Sequence, residues 1–402
     1  MTAGPPNTPF SAASPMSSRA DPSADNPDAE RDATATAREH STRIRDAFSE
    51  DELADSAAAC RHLAETHGEN FTVVSRLLLP PDRYDDFAAI YAFCRLADDA
   101  ADEQTSPEAA LRELARMQRL LDACGWPDGP GSAIAPVSQL SVDTRRDTAT
   151  AASLSQWSDS TGFNAITLRE SPHFPAIAAV IARRALPREP FADLLDAFVQ
   201  DQSVNRYETW SRVLNYCERS ANPVGRLVLL ITGHGPRPDW GELATLSDCT
   251  CTALQLTNFW QDIHRDLIER DRIYVPEDVL TEHGLSTGEF ADQIRNRTPD
   301  QRTDRLVRYL VDQTRPLFDR GRDLWPMVEP DVRPSIVLFT RGGETVLRAV
   351  ERSRGGVVHT RPAISTGHKG WLLLRAWFAS RRVRRQRHRS RTLPPSVNEA
   401  RD

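Results

Sequence analysis

The sequence predicts an all-α fold organised around two polar stripes. Residues 90–103 read IYAFCRLADDAADE, and residues 253–276 read ALQLTNFWQDIHRDLIERDRIYVP. In both stretches polar side chains recur every three or four residues among apolar neighbours, which is the spacing of one face of an α-helix. Helical periodicity also marks residues 52–66, 107–124, 190–233 and 301–350. We therefore expect a helical protein that holds two polar helix faces opposite each other.

The first stripe ends in two carboxylates. Its members fall at i, i+4, i+7 and i+11 and are Tyr91, Arg95, Asp98 and Asp102. The neighbours Ile90, Phe93 and Leu96 are apolar, so part of this helix face should be buried. Buried carboxylates one turn apart repel each other, and a cation must compensate them.

The second stripe carries oxygen ligands at i, i+3, i+7 and i+11, namely Gln255, Asn258, Asp262 and Asp266. Hard oxygen donors without thiolates suit Mg²⁺, which keeps several waters and commonly bridges one or two carboxylates to a substrate phosphate. The alternative is that each DxxxD pattern is a solvated acidic face. Two copies in an apolar setting, with arginines near the second, favour the metal site.

Composition excludes some classes of protein. The net charge of −7 and the pI of about 5.9 give no global attraction to nucleic acid or to anionic lipid. The N-terminus lacks an apolar signal core, and no apolar run approaches the roughly 20 residues of a membrane-spanning helix. Six cysteines without a CxxC pair favour a reduced compartment. A soluble or peripheral cytoplasmic protein is expected.

The segment before the first stripe, HGENFTVVSRLLLPP, resembles the opening signature of the trans-isoprenoid head-to-head synthases, the family of squalene and phytoene synthases. The resemblance extends over roughly residues 55–365. It implies a single-domain isoprenoid synthase fold, with helices around a central apolar cavity. In that family two aspartate-rich helices face each other and hold Mg²⁺ ions that grip a prenyl diphosphate.

The resemblance also implies roles for individual residues. The expected metal ligands are Asp98, Asp102, Asn258, Asp262 and Asp266. The expected catalytic residues are the four aspartates together with Tyr91 and Tyr207. The expected substrate-binding residues are Asn70, Ser75, Arg76, Arg95, Gln261, Arg272 and Tyr274. The cofactor is Mg²⁺, with Mn²⁺ as an alternative, and no nicotinamide cofactor is expected because no GxGxxG fingerprint is seen.

Three departures from the general family pattern resemble the hydroxysqualene-forming branch of bacterial hopanoid pathways. They are the triplet ENF at residues 69–71, the segment SANP at residues 220–223, and Gln261 where phytoene and squalene synthases usually carry arginine. They predict conversion of presqualene diphosphate and water to hydroxysqualene and diphosphate, with the Gln261 amide orienting a water. The alternatives are coupling of two prenyl diphosphates to presqualene diphosphate, squalene or phytoene, and a catalytically inactive relative that serves assembly or lipid binding.

The segment SANPVG at residues 220–225 also predicts a helix kink, because proline follows asparagine within an apolar helical pattern. Within the family, small residues at this place let a prenyl chain pass close to the backbone. Asp201, Arg206 and Tyr216 are further polar candidates in the same apolar region. A plain packing kink is the alternative.

The chain divides into three parts. Residues 1–50 have almost no large apolar side chains and predict a disordered tail. Residues 51–365 form the synthase domain, with a mobile insertion at about 128–168 that is rich in Gly, Pro, Ser and Thr. Residues 366–402 form a basic amphipathic tail, whose tryptophans and arginines are typical of an interfacial helix on anionic lipid. A solvated basic tail is the alternative.

The expected partners follow from these parts. They are a prenyl diphosphate substrate, a membrane surface contacted by the basic tail, and upstream and downstream enzymes of squalene biosynthesis. Nucleic acid is not expected. The predicted location is cytoplasmic, at the inner face of the membrane.

Overall fold

Helices make up most of the protein that the computed structural model describes, which comprises residues 27–67, 81–126, 162–235 and 237–362. Within these ranges no strand forms, and an isolated bridge joins Arg206 to Ile273. The predicted all-α fold class is therefore confirmed.

The described residues form α-helices in both halves of the chain. Those of the N-terminal half are α1 (Pro27–Ala47), α2 (Glu50–His67), α3 (Pro81–Asp102), α4 (Pro107–Ala123), α5 (Ala165–Leu168), α6 (Phe174–Arg184), α7 (Glu189–Gln200), α8 (Trp210–Ser220) and α9 (Asn222–Leu229). A π-helical turn, Leu230–His234, extends α9. Those of the C-terminal half are α10 (Trp240–Gln261), α11 (Ile263–Arg270), α12 (Glu277–Glu282), α13 (Thr287–Asn296), α14 (Gln301–Gly321), α15 (Leu324–Met327) and α16 (Arg333–Ser353). A 3₁₀ turn, Arg354–Val358, follows α16.

The predicted disordered tail is wrong for its second half, because α1 is a helix that packs on α6. Ile44 and Phe48 are buried, and the Nε2 atom of His40 lies 2.8 Å from the carbonyl oxygen of Cys124. A few well-placed side chains thus anchor a segment whose average composition is polar. Residues 1–26 lie outside the described part of the chain.

The predicted insertion also ends earlier than expected. Asn164 caps α5 by accepting hydrogen bonds from the backbone of Ile166 and Thr167, at 3.1 and 3.2 Å. Phe163 packs edge-on against Phe48, with ring centroids 6.4 Å apart. Residues 162–168 therefore belong to the folded domain, and residues 127–161 lie outside the described part.

The first stripe lies on α3, which packs against α2, α4, α6 and α7. Phe93 is fully buried on its inner face and meets Phe191 of α7 edge-on, at 5.0 Å between centroids. Asp86 is also fully buried on this helix, and it pairs with Arg183 and Arg184 of α6. These contacts fix the orientation of α3 and therefore the direction in which its carboxylates point.

The second stripe begins on α10, which packs against α9 on one side and against α14 and α16 on the other. Trp260 is fully buried, and its indole N–H donates to the Thr314 hydroxyl at 2.9 Å. A Cβ atom added at Gly343 would lie 2.4 Å from Leu254 Cδ2. The glycine therefore permits α16 to approach α10 closely.

The predicted kink is present between α8 and α9. Ala221 has φ −127° and ψ −46°, and α9 begins at Asn222 with Pro223 in its first turn. Beyond the kink, a Cβ atom at Gly225 would lie 2.4 Å from the Ser247 oxygen and 2.5 Å from the Cys251 sulfur. A larger residue at position 225 would therefore displace the Ser247 hydroxyl and the Cys251 thiol.

An apolar cavity of about 230 Å³ opens beside this kink. Its walls come from α8, α9, α10, α15 and α16 and include Ala221, Val224, Val228, Leu254, Ile336 and Phe339. This cavity, between the kinked helices and the C-terminal helices, is the candidate for the predicted one, and its lining includes Gln255 of the second stripe but no residue of the first.

Two further predictions concern membranes. The basic segment 366–402 lies outside the described residues, so its interfacial role stays a prediction. In the part of the chain that the structure describes, no helix combines the length and the apolar composition needed to cross a membrane.

Candidate active site

The two stripes meet through the arginines at the end of α11. Arg270 forms an ion pair with Asp102 of α3, in which Nη2 and Oδ2 are 2.6 Å apart. Arg272 Nη1 lies 3.7 Å from Asp102 Oδ1. Burial raises the pKa of Asp98 and of Asp266, which lie on different stripes, and the positive charge of Arg270 counteracts both rises. Residues about 170 positions apart in sequence therefore share one electrostatic environment.

On the first stripe, Arg95 is held by acids of its own helix. Its guanidinium lies 3.2 Å from Asp98, 2.5 Å from Asp99 and 3.2 Å from Glu103. Burial and the negative charge of Asp102 raise the pKa of Asp98 to about 6 despite this arginine. Burial also raises the pKa of Tyr91. The predicted stripe is therefore a real cluster of coupled charges.

The second stripe is interrupted where the sequence predicts one continuous helix. Asp262 has φ −103° and ψ 13° and separates α10 from α11. The backbone N–H of Asp262 still donates to Asn258, at 2.9 Å, and that of Asp266 to Asp262, at 2.8 Å. The turn is therefore preserved, and all three side chains keep their helical spacing along one face.

Asp266 is the most deeply buried acid of the second stripe, with 8 % of its surface exposed. Burial and the nearby charge of Asp262 raise its pKa to about 7. Arg270 and Arg272 oppose this shift. A carboxyl group that keeps its proton up to neutral pH lacks full cationic compensation.

Arg361 compensates the other acid of this stripe. Its Nε and Nη2 atoms lie 2.5 and 3.1 Å from the two Asp262 carboxylate oxygens. Next to it, the Gln261 amide donates to the Pro362 carbonyl oxygen at 2.5 Å. The expectation that Gln261 orients a catalytic water is therefore not supported by this geometry, because its amide nitrogen is already engaged with the backbone.

Asp201 joins the site from the end of α7. The hydroxyl of Tyr216 donates to its carboxylate at 2.6 Å, and Arg272 donates to its carbonyl oxygen at 2.9 Å. Arg272 Nη1 lies 3.7 Å from an Asp201 carboxylate oxygen. Burial raises the pKa of Asp201 to about 6, although Arg272 and Tyr216 lower it. The predicted binding residue Arg272 is therefore a junction between Asp102 and Asp201.

Aromatic rings surround this junction. Tyr274 stacks on Phe259 with centroids 3.7 Å apart, and Tyr207 stacks on Tyr274 at 5.6 Å. Tyr216 lies 5.7 Å from Tyr207. Burial raises the pKa of all three tyrosines. The hydroxyl groups therefore stay protonated near neutral pH. That of Tyr216 donates to Asp201, and that of Tyr207 accepts a hydrogen bond from the Gln200 amide at 3.4 Å.

The structure thus brings together most predicted site residues, namely Tyr91, Arg95, Asp98, Asp102, Tyr207, Asp262, Asp266, Arg272 and Tyr274. Asn258 is exposed one turn before Asp262. Asn70, Ser75 and Arg76 lie outside the described residues, so their roles stay predictions. Arg270 and Arg361 were not predicted as site residues. Arg270 lies in a visible arginine-rich run, whereas no local pattern marks Arg361.

The donor set fits Mg²⁺ as an ion shared with a substrate. Among the described residues, no three carboxylate, histidine or cysteine groups converge into a complete metal cage. Each stripe instead offers two carboxylates one turn apart, and Mg²⁺ commonly takes one or two carboxylates and completes its shell with phosphate and water. The raised pKa values of Asp98 and Asp266 agree with sites that a cation would stabilise.

The apolar cavity begins close to the second stripe. Gln255 lines the cavity and lies seven residues before Asp262 on the same helix, which is about 10 Å along the axis. An elongated ligand can therefore place a charged end at the aspartates and an apolar chain along α10.

Comparisons with known proteins find related sequences. The sequence model described as "Squalene/phytoene synthase" matches residues 64–368. A hydroxysqualene synthase from Zymomonas mobilis is 32% identical over 222 residues, which is 55% of this chain and 59% of that protein. A phytoene synthase from Rhodobacter capsulatus is 26% identical over 316 residues, or 78% of each chain. The chain spans about three fifths of the hydroxysqualene synthase.

Solved structures share the fold. The squalene synthase HpnC from Alicyclobacillus acidocaldarius is 33% identical with a TM-score of 0.59, and the match covers 78% of this chain and 98% of that chain. A dehydrosqualene synthase solved with a ligand has a TM-score of 0.62 at 20% identity, and that match covers 81% and 96% of the two chains. The similarity to the dehydrosqualene synthase shows the fold alone.

Proposed function

We propose that this chain, which belongs to the squalene/phytoene synthase family, converts presqualene diphosphate and water to hydroxysqualene and diphosphate with the help of Mg²⁺. The observation that carries the proposal is the meeting of two aspartate stripes beside an apolar cavity. Arg270 links both stripes electrostatically, and the cavity begins about two helical turns from Asp262. This arrangement suits a molecule with a diphosphate at one end and a long hydrocarbon at the other.

The chemistry required is ionisation of a carbon–oxygen bond. Bound Mg²⁺ would neutralise the negative charge that grows on the departing diphosphate, with Asp98, Asp102, Asn258, Asp262 and Asp266 as its proposed holders. Arg270 and Arg272 would remain at the junction of the stripes as fixed donors toward the same charge. Preorganised donors of this kind stabilise the transition state without reorganisation.

The apolar part of the site would protect the cation that remains. Val224, Val228 and Leu254 line the cavity, and few polar groups reach it. Bulk water would be excluded, so the cation survives until the carbon skeleton has rearranged. One water would then form the new carbon–oxygen bond and release a proton to the departing diphosphate. No oxidation or reduction takes place.

The sequence and the relatives support the hydroxysqualene branch. The triplet ENF, the SANP kink and Gln261 resemble that branch, and relatives from Zymomonas mobilis and Sinorhizobium fredii that are 32% and 31% identical are hydroxysqualene synthases. The match to the phytoene synthase of Rhodobacter capsulatus extends over more of the chain. Coupling of two prenyl diphosphates is therefore the second candidate.

The deciding experiment uses the purified protein with Mg²⁺ and a single substrate in each reaction: presqualene, farnesyl or geranylgeranyl diphosphate. Reactions run in H₂¹⁸O, and mass spectrometry identifies the lipid product. We expect fast consumption of presqualene diphosphate and an ¹⁸O-labelled alcohol. Efficient conversion of farnesyl diphosphate to presqualene diphosphate, or of geranylgeranyl diphosphate to phytoene, would replace this proposal with a coupling reaction. Inactivity on all three substrates would favour an inactive relative.

A further inference from the structure

The end of the described chain crosses the second stripe. Two consecutive residues, Arg361 and Pro362, contact two other consecutive residues, Gln261 and Asp262. The Arg361 guanidinium donates hydrogen bonds to both carboxylate oxygens of Asp262. The Pro362 carbonyl oxygen accepts a hydrogen bond from the Gln261 amide. The two contacts join segments about 100 positions apart in sequence.

The donor side chains of the two contacts differ in exposure to solvent. Gln261 is 7 % exposed and sits at the end of α10, so its side chain has little freedom. The Arg361 side chain is 45 % exposed, whereas Asp262 is 13 % exposed. A long exposed side chain loses conformational entropy when it is fixed in one place. The amide contact reduces that loss, because it fixes the backbone one residue away from the guanidinium.

We infer that Gln261 is a positioning residue that holds the backbone at Pro362 and thereby places the Arg361 guanidinium at Asp262. The inference rests on the proposed function, because it gives Arg361 a role at a metal and diphosphate site. The positive charge at Asp262 thus comes from the C-terminal segment, whereas Asp98 has a charge partner in Arg95 of its own helix.

Two opposite effects follow from this placement. In the absence of diphosphate, Arg361 competes with a metal ion for Asp262, because both are cations. Once metal and diphosphate are present, a guanidinium beside the stripe attracts the diphosphate oxygens. A segment that served only as a structural strap would produce neither effect.

Isothermal calorimetry on the full chain tests the inference with Mg²⁺ alone and with inorganic diphosphate at saturating Mg²⁺. For Arg361→Ala, we expect Mg²⁺ alone to bind about two- to fivefold more tightly, the size of one partly exposed charge pair. Inorganic diphosphate should bind about tenfold more weakly, as expected for a lost charge-assisted contact. The matched control is Arg315→Ala, which removes an arginine of similar exposure that pairs α14 with Glu351 of α16, and it should change neither affinity.

Gln261→Met tests whether the glutamine acts through the arginine. Methionine keeps the length of the side chain and removes the amide. Alone it should shift both affinities in the same directions as Arg361→Ala but less, and in the double variant it should add nothing. Gln261→Arg in the Arg361→Ala background should restore part of the diphosphate binding, because it returns a guanidinium to the residue next to Asp262.

The outcomes separate the two proposals. Additive effects of Gln261→Met and Arg361→Ala, or unchanged affinities in both variants, would overturn the role of Gln261 and leave the proposed function intact. A wild-type protein that binds neither Mg²⁺ nor inorganic diphosphate would overturn both. Equal circular dichroism spectra and melting temperatures of the variants show that the fold is retained.

Discussion

In both stripes the two aspartates lie four residues apart in sequence, but their surroundings in the fold differ. The stripe on α3 lies on an uninterrupted helix, and Arg95 of the same helix accompanies its acids. The stripe on α10 and α11 is broken at Asp262, and a guanidinium from residue 361 compensates it. Asp98 therefore finds its cation within its own helix, whereas Asp262 requires the C-terminal segment.

The difference also concerns burial. The Asp98 side chain is 43 % exposed, whereas only 8 % of the Asp266 surface is exposed. Burial raises the pKa of both carboxyl groups, that of Asp266 to about 7 and that of Asp98 to about 6. The α3 stripe is thus the more solvated side of the site, and the α10–α11 stripe is the side where charge is harder to keep without a cation.

The largest expected effect comes from removing one carboxylate from each stripe. Asp98→Asn and Asp262→Asn should each lower turnover of the prenyl diphosphate by at least about 100- to 1,000-fold, because a charge that stabilises the transition state is lost. The fold should remain, since each change also relieves repulsion between neighbouring acids. Steady-state kinetics at saturating Mg²⁺ and urea unfolding without metal measure the two effects.

Glu103→Gln is the control for the α3 stripe. Glu103 pairs with the same Arg95 but is 64 % exposed, so its loss should change turnover little. Normal activity of Asp98→Asn would remove that residue from the metal-binding set. Loss of activity in only one of the two aspartate variants would mean that the stripes do not act as partners.

A second prediction concerns the junction that joins the stripes. Tyr216→Phe removes the hydroxyl that donates to Asp201 and leaves a buried carboxylate oxygen without that donor. The free energy of unfolding should fall by about 1 to 3 kcal/mol, the usual size for a buried hydrogen bond to a charged group. Urea denaturation measures it. Unchanged stability would mean that Asp201 is protonated or finds another donor.

A third prediction uses the pKa of Asp266. In the unfolded chain this carboxyl titrates near its ordinary pKa of 3.8, whereas in the folded protein it keeps its proton up to about pH 7. The folded state therefore binds more protons between these values, and the free energy of unfolding should decrease as the pH rises through this window. Mg²⁺ needs the ionised carboxylate, so its binding should strengthen over the same range.

Asp266→Asn tests this prediction when the pH dependence of its unfolding free energy is compared with that of the wild type. The decrease in metal-free stability from pH 5 to pH 7 should be smaller in the variant than in the wild type. Asp98→Asn should remove less of this decrease than Asp266→Asn does, because the Asp98 side chain is more exposed. Identical pH profiles for Asp266→Asn and the wild type would show that Asp266 is ionised throughout.

The smallest expected effect on catalysis comes from the basic tail that follows Arg361 and Pro362. Deletion of residues 369–402 keeps both residues and should leave activity on detergent-dispersed substrate nearly unchanged. Attachment to anionic vesicles should weaken, since roughly 1 kcal/mol per basic residue near such a surface is at stake. Sedimentation with vesicles measures it, and equal binding of both forms would refute the predicted role of the tail.

The sequence was sufficient for the fold class and for the two stripes, because both depend on local spacing. The i, i+4 and i+7 pattern places side chains on one helix face whatever the rest of the chain does. The kink before Pro223 was also predictable from local sequence, because proline lacks a backbone N–H donor. Helix α1 was missed, because average composition hides the few apolar residues, such as Ile44 and Phe48, that anchor it.

By itself, the sequence determined which carboxylates can lie together on each helix. Only the tertiary structure decided which cation meets which acid. Arg270 reaches Asp102, Arg272 reaches both Asp102 and Asp201, and Arg361 reaches Asp262. The physical reason is that charge pairing acts over a few ångströms in space, and chain folding brings together residues separated by about 70 to 170 positions without leaving a periodic signal in the sequence.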